Sequence, residues 1–308
     1  MAFSFLRPRP SLTRGEAIAG WLFAAPWIVG FLLWTLGPML AAVYFSLTTW
    51  DLLGPPVWVG FQNFVDLVVR DASFITSVQV TTEYAVVSVP LHIVLGLALA
   101  LLLNTRIAGV RFYRTLFYLP AVLSGVAVAL LWAWIYSADF GLANYLLSLV
   151  GVRGPRWLQD SQWALASLIL MSLWGVGGGM VIYLAGLQGI PSELYDAAAV
   201  DGASGLARFR HVTLPMLTPV LFFQLVIGII HGLQTFTQPA ILTDGGPHDS
   251  TLFLLLYLYQ NAFRFLKMGY GSAIAWMLFF YILALTLMVF RSARSWVYYE
   301  GELGSRER

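Results

Sequence analysis

The sequence has few charged residues and no cysteine. Asp, Glu, Lys and Arg make up 10% of the 308 residues, whereas soluble globular domains carry about 25%. The absence of cysteine excludes disulfides and thiolate metal sites. The net charge of +2 is too small to indicate nucleic-acid binding. No glycine-rich segment is followed by the Lys and Ser or Thr of a phosphate-binding loop, which excludes ATP hydrolysis by that route.

Apolar and aromatic residues take the place of the missing charges. Hydrophobic residues account for 59% of the chain, and aromatic residues for 15%, with 12 Trp and 14 Tyr. The mean hydropathy is +0.77. Trp and Tyr are enriched where a bilayer meets water, because one end of the ring is apolar and the other is polar. The composition therefore predicts an integral membrane protein.

Six stretches without Asp, Glu, Lys or Arg are long enough to cross a bilayer, which requires about 20 apolar residues per helix. They are Ala17–Trp50, Tyr84–Thr105, Thr115–Ala138, Ser161–Ser192, His211–Thr243 and Met268–Phe290. A seventh apolar run, Thr251–Phe263, is too short to span and is predicted to be an interfacial or extramembrane helix, with re-entry into the membrane as the alternative. The expected fold is all-α, with six transmembrane helices.

The distribution of Lys and Arg gives the expected orientation. With the N-terminus inside, the inner segments carry 12 of the 17 basic residues, and an excess of basic residues marks the cytoplasmic side. Both termini are therefore predicted to be cytoplasmic. The predicted organisation is an N-terminal segment 1–16, a six-span domain 17–292 with a cytoplasmic loop 188–214, and a tail 293–308.

The predicted loop between the fourth and fifth spans has signals for two short helices. Ser192 is a candidate cap for the first, and Glu193 favours its positive end. Gly202 is expected to interrupt that helix, and Pro215 to open the fifth span. A short helix-turn-helix of this kind suits a groove on a partner protein. The alternative is an amphipathic connector lying on the membrane.

The loop also resembles a known motif. Asp196-Ala197-Ala198, three residues, Gly202, nine residues and then Val212-x-Leu-Pro is similar to the cytoplasmic coupling motif of ABC importer permeases. That motif usually reads Glu-Ala-Ala…Gly…Ile-x-Leu-Pro, so Asp196 and Val212 are conservative departures. The resemblance implies that the loop docks on an ATPase subunit through Glu193, Asp196, Ala197, Ala198, Asp201, Gly202 and Pro215.

Three further segments resemble the carbohydrate-uptake branch of these permeases, and in particular the first permease of maltose and glycerol-3-phosphate importers. They are Pro90–Asn104, Phe112–Pro120 and Leu242–Pro247. The resemblance implies a heterodimer with a second permease, two copies of a cytoplasmic ATPase subunit and an external substrate-binding protein, in a bacterial or archaeal inner membrane. It also implies that this chain is not an enzyme and holds no cofactor, since ATP and Mg would be bound by the ATPase subunits.

Polar residues in the fifth predicted span form a stripe. Gln224, Gly228, His231, Thr235 and Gln238 fall on one helical face, with Gln234 beside it. Polar groups inside a membrane are costly and are functional candidates by default. The stripe could line a substrate pathway and bind sugar hydroxyls, or it could hydrogen-bond to other helices within the dimer.

The fourth predicted span contains four glycines in five residues, which follow Trp174. Glycine at this density should weaken or break the helix, and broken helices in membranes line cavities or are covered by protein. Trp174, Gly175 and Gly178 are therefore candidate pathway residues, with Trp174 stacking on a sugar ring. The alternative is close helix packing through small residues.

His92 belongs to the second predicted span, and Glu83 lies at the outer end of that span. Glu83 is expected to reach headgroups or an extramembrane loop, and His92 to be a packed, hydrogen-bonded histidine rather than a proton relay. A stand-alone secondary transporter would need ion-coupling carboxylates in the spans, and only Glu83 is available. A membrane-embedded enzyme would need paired catalytic groups or a metal cluster, and the four histidines are scattered.

The substrate expected from these residues is a neutral sugar, because the candidate stripe contains no Arg or Lys. Importers of glycerol-3-phosphate or another polyol share the same framework and remain the alternative.

Overall fold

The computed structural model describes residues 14–105 and 108–298. Most of the predicted N-terminal segment 1–16, most of the predicted tail 293–308 and Arg106 lie outside the described residues. The described chain is helical apart from one two-stranded hairpin. Four of its helices are long and apolar enough to cross a membrane, and two bent helix pairs raise that number to six if each pair is one span.

The first long helix stands apart from the rest of the bundle over most of its length. α1 (Arg14–Phe31) continues through a π-helical turn, Leu32–Leu36, into α2 (Gly37–Ser46). Its most apolar 18-residue stretch has no buried residue. Its α2 part packs against the last helix, α15 (Met268–Ala293). The hairpin follows, with β1 (Thr48–Thr49) antiparallel to β2 (Val57–Trp58).

The second long helix is longer than the predicted second span. After α3 (Gln62–Val69), α4 runs over Ala72–Leu103, 32 residues. Asp71 is the N-cap of α4, and its carboxylate accepts a hydrogen bond of 3.0 Å from the Phe74 amide. The apolar run in the sequence stops at Glu83, but one exposed carboxylate does not end a helix whose backbone bonds continue.

Two of the predicted spans are bent. α5 (Val110–Val122) and α6 (Gly125–Ile135) meet at 97°, so the third predicted span is not one straight helix. α7 (Leu142–Leu149) comes next. α8 (Ala164–Ser172) then passes through a 3₁₀ turn, Leu173–Gly175, to α9 (Gly177–Gln188), and this pair is bent by 46°.

The remaining elements form the 188–214 loop, the helices of the fifth predicted span and the segment before α15. The loop holds α10 (Ser192–Val200) and α11 (Gly205–Arg208), followed by a π-helical turn, Phe209–Thr213. The turn leads into α12 (Leu214–Leu233) and α13 (Thr237–Leu242). α14 (Leu254–Tyr259) and a π-helical turn, Gln260–Arg264, occupy the seventh apolar run, which is too short to span.

α4 lies at the centre of the bundle and packs against α9 and α12. Glycines allow the close approach to α12: a Cβ on Gly228 would lie 2.9 Å from Val89, and one on Gly232 would lie 3.3 Å from Ala85. At its N-terminal end, α4 is held by Asp71, whose second carboxylate oxygen accepts hydrogen bonds from Tyr257 and Tyr270. This arrangement positions one wall of a large cavity.

Candidate functional site

A cavity of about 820 Å³ lies among α4, the α8–α9 bend and α12. None of its lining residues is Asp, Glu, Lys or Arg. Its polar side chains are Tyr84, Ser88, His92, Ser172, Tyr183, Gln224, His231, Gln234, Thr235, Thr237 and Gln238. Amides, hydroxyls and imidazoles both donate and accept hydrogen bonds, so this wall matches a ligand rich in hydroxyl groups.

Every residue of the predicted polar stripe lines this cavity, although the stripe is not carried by one continuous helix. Gln224, Gly228 and His231 reach the cavity from α12, which ends at Leu233. The backbone then leaves the helical conformation, with φ −135° at Phe236. Gln234, Thr235 and Gln238 line the cavity from this break and from the first turn of α13.

The glycines of the glycine-rich segment have two kinds of surroundings: some line the cavity and others pack inside the protein. Gly178 and Gly179 line the cavity. A Cβ on Gly179 would lie 2.9 Å from the Gln224 amide nitrogen, so its lack of a side chain lets Gln224 lie against α9. A Cβ on Gly177 would lie 1.9 Å from the Phe117 carbonyl oxygen of α5. The helix is therefore bent and closely packed at the same place.

Trp174 and Gly175 are not among the residues that line the cavity. The Trp174 ring lies edge-on to Trp132, with 6.1 Å between ring centroids. It borders a separate apolar groove of about 300 Å³ together with residues of α5. Trp174 therefore lies beside α5 and α6 rather than on the cavity wall, a placement that spacing along the sequence does not reveal.

Two tyrosines of the cavity wall were missed by the sequence reasoning. Tyr183 is 1% exposed, and its hydroxyl makes no hydrogen bond with another described residue. Tyr84 and Ser88 line the wall with His92. These three follow one another at i, i+4 and i+8, a second polar stripe that was visible in the sequence.

His92 is hydrogen-bonded, as predicted, and it also lines the cavity. Its Nδ1 lies 2.8 Å from the Ser88 carbonyl oxygen of its own helix, and its Nε2 lies 3.0 Å from the Ser172 carbonyl oxygen at the end of α8. A neutral imidazole has one N–H and donates to one of these oxygens. The ring therefore links α4 to the α8–α9 bend.

Glu83 lies on an exposed face of α4 and does not line the cavity. It makes no ion pair or hydrogen bond with another described residue. Across residues 14–105 and 108–298, no three His, Asp or Glu side chains are grouped to hold a metal ion.

The 188–214 loop forms the two short helices that the sequence predicts, with one difference. Pro191 is the N-cap of α10, and Ser192 makes no capping hydrogen bond, so the predicted Ser192 cap is wrong. Gly202 ends α10 at φ +70°. The amides of Gly202 and Ala203 donate to the carbonyls of Ala199 and Ala198, at 3.1 and 2.9 Å. This pair of bonds is the Schellman motif, which favours glycine at the left-handed position.

The candidate coupling residues are arranged on the surface of this loop. Ala198 is half-buried, and Pro215 lies in the first turn of α12. The others are exposed: Glu193, Asp196, Ala197, Asp201 and Gly202. They leave an accessible face on α10.

The segment after α13 is also built around polar contacts. Arg264 and Asp244 form an ion pair of 2.6 Å. The hydrogen bond from Arg264 to Asp244, together with their opposite charges, raises the pKa of the exposed guanidinium. Thr251 donates to the Gly246 carbonyl at 2.6 Å. These bonds tie the Leu242–Pro247 segment to Thr251 before α14 and to Arg264 after it.

Comparison with known proteins identifies the family. Residues 92–296 match the model of the binding-protein-dependent transport system inner membrane component. The probable ABC transporter permease YesP of Bacillus subtilis is 43% identical over 293 residues, which is 94% of each chain. The chain belongs to this family of ABC transporter permeases, and it is a multi-pass membrane protein.

Two more permease relatives extend the comparison. The trehalose/maltose transport system permease MalF of Thermococcus litoralis is 34% identical over 284 residues, covering 91% of this chain and 95% of the relative. The crystal structure of a bacterial ABC transporter involved in import of the acidic polysaccharide alginate superposes with a TM-score of 0.79. That match has 25% identity and covers 91% of this chain and 97% of the other.

The matched range of the permease family contains the α5–α15 bundle, the 188–214 loop and the cavity wall contributed by α12. Tyr84 and Ser88 lie just before the range begins, and His92 is its first residue. The family's shared region therefore holds both the loop and most of the cavity.

Proposed function

We propose that the chain forms half of the translocation pathway of an ATP-driven importer of a neutral mono- or oligosaccharide. The observation that carries this proposal is the uncharged polar cavity, which is lined by Gln224, His231 and Tyr183, the last with a buried hydroxyl. Hydrogen-bonding side chains that can donate and accept are suited to sugar hydroxyls. The relative named for trehalose and maltose transport supports the same substrate class.

The proposed assembly contains a second permease, two cytoplasmic ATPase subunits that bind ATP and Mg, and an external binding protein. The chain crosses the membrane six times, with each bent helix pair as one span and both termini in the cytoplasm. The ranges 1–16, 17–292 and 293–308 are then the cytoplasmic segment, the membrane domain and the cytoplasmic tail. The prevalence of Lys and Arg on the inner segments supports this orientation.

The exposed face of α10 is the proposed docking surface for an ATPase subunit. Asp196 and Ala197 lie on that face, while Gly202 fixes the angle between α10 and α11. A short exposed helix presented on a turn is suited to a groove on a partner.

The test is uptake by the complete transporter reconstituted in liposomes with its binding protein. The probes are radiolabelled maltose, trehalose and glycerol 3-phosphate, each measured with and without ATP. We expect ATP-dependent uptake of a disaccharide. Uptake of glycerol 3-phosphate alone would favour the polyol-phosphate alternative, and uptake that does not depend on ATP would contradict an ATP-driven importer.

The Gln224→Leu variant tests the cavity itself. A neutral hydrogen bond contributes about 0.5–1.5 kcal/mol, so we expect its loss to weaken transport of the disaccharide roughly two- to tenfold. Gln159→Leu is the matched control, because Gln159 is exposed and does not line the cavity. Equal transport by both variants would remove Gln224 from the pathway.

A further inference from the structure

α10 makes few contacts with the rest of the chain. Of its nine residues, only Tyr195 and Ala198 are not exposed. They lie three positions apart, on the one face of α10 that turns toward the protein. Any force applied to the exposed face of α10 must reach the bundle through this narrow contact or through the backbone.

Tyr195 reaches the N-terminal end of α12. Its hydroxyl lies 3.0 Å from the Thr213 hydroxyl oxygen, across 18 positions of sequence. Thr213 is 5% exposed and ends the π-helical turn Phe209–Thr213. That turn continues directly into α12. Single π-helical turns inside α-helices are frequent at functional positions.

The other hydrogen bonds of the described loop stay inside it. Arg208 donates from its side chain to the Ala203 carbonyl, and the Ala207 amide donates to the Ser204 hydroxyl. They shape the turn between α10 and α11 without reaching α12. Within the described residues, the pair of Tyr195 and Thr213 is the side-chain hydrogen bond that joins α10 to the helix carrying Gln224 and His231.

We infer that Tyr195 is a positioning residue that transmits movement of α10 to α12 through Thr213. Displacement of α10 pulls on a buried hydroxyl at the foot of α12, and α12 forms one wall of the cavity. The role rests on the proposed docking of an ATPase subunit on α10. The hydrogen bond between Tyr195 and Thr213 is the route by which movement of the docked ATPase subunit reaches the cavity wall.

The experiment uses the reconstituted transporter and measures maltose transported per ATP hydrolysed. Tyr195→Phe keeps the ring and removes the hydroxyl, and Thr213→Val probes the same bond from its buried side. We expect each variant to hydrolyse ATP at a near-normal rate while transport per ATP falls roughly two- to tenfold, the range for loss of one hydrogen bond. The double variant should lose no more than either single variant, because all three lack the same bond.

The matched control is Tyr281→Phe. Tyr281 and Thr82 form the same kind of hydroxyl pair, 2.8 Å apart, between α15 and α4. This pair lies outside the 188–214 loop, so the control should leave transport per ATP unchanged even where it lowers thermal stability.

Two outcomes would overturn the role of Tyr195. One is a normal ratio of transport to hydrolysis in both Tyr195→Phe and Thr213→Val, and the other is an equal fall in the Tyr281→Phe control. A wild-type transporter that takes up no sugar with ATP, or binds no ATPase subunit, would instead contradict the proposed function on which the role depends. The two failures are therefore distinguished by the wild-type measurement.

Discussion

Gly202 adopts a backbone conformation that few other residues tolerate. Its φ is +70°, and no heavy atom lies within 4 Å of the position a Cβ would take. Space is therefore available, and the constraint is the left-handed backbone, which costs an L-residue about 1–2 kcal/mol. The turn between α10 and α11 depends on this conformation rather than on side-chain packing.

We expect Gly202→Ala to loosen the end of α10. A cost of about 1–2 kcal/mol corresponds to a roughly 5- to 30-fold larger population of the opened state, measured as amide hydrogen exchange over α10 in the purified protein. Gly205→Ala is the control, since Gly205 also has no atom within 4 Å but does not have a positive φ. Identical exchange in the two variants would show that the backbone of Gly202 is not the constraint.

At the scale of elements, the α8–α9 bend is held by close backbone contact with α5. A Cβ on Gly177 would lie 1.9 Å from the Phe117 carbonyl oxygen and 3.0 Å from the Tyr118 Cα. Both neighbours are backbone atoms and cannot move without shifting α5. Gly175, two residues earlier, has no heavy atom within 4 Å of a Cβ.

The two glycines therefore make a matched pair. Gly177→Ala is expected to lower stability by about 1–3 kcal/mol, the usual cost of overpacking, because α9 must move away from α5. Gly175→Ala should remain close to wild type. Unfolding midpoints of the detergent-solubilised proteins measure the difference, and equal midpoints would mean that the α5–α9 contact is looser than described.

At the scale of the whole molecule, the proposed six-span topology requires each of the two bent pairs to cross the membrane. If α5–α6 and α8–α9 are both spans, Asp139 and Asp249 face the outside and Arg210 faces the cytoplasm. If both pairs re-enter on the cytoplasmic side, Asp139 faces the cytoplasm. All three residues are exposed.

The absence of native cysteine makes this question directly testable, since each single cysteine will be the sole thiol. We expect a membrane-impermeant maleimide to label Asp139→Cys and Asp249→Cys in intact cells. Arg210→Cys should react only after the cells are permeabilised. Protection of Asp139→Cys in intact cells would rule out the six-span topology, while labelling of Asp249→Cys confirms that the reagent reaches the outer face.

The sequence alone determined the features that depend on local pattern and on solvent. Low charge and long apolar runs identify a membrane protein, because a bilayer demands about 20 apolar residues per span. The end of α10 at Gly202 follows from glycine's access to positive φ. The polar stripe along α12 and α13 was predictable because its residues recur at helical spacing.

The tertiary structure decided which polar residues share one cavity. At the 46° bend, Trp174 lies against Trp132 and outside the cavity, while Tyr84 and Tyr183 join Gln224 from two other helices. Spacing along a chain fixes the face of one helix, but the rotation and approach of neighbouring helices are set by packing between residues far apart in sequence. The contacts of Gly177 with Phe117 and of Tyr195 with Thr213 are of this kind, which is why only the folded chain revealed them.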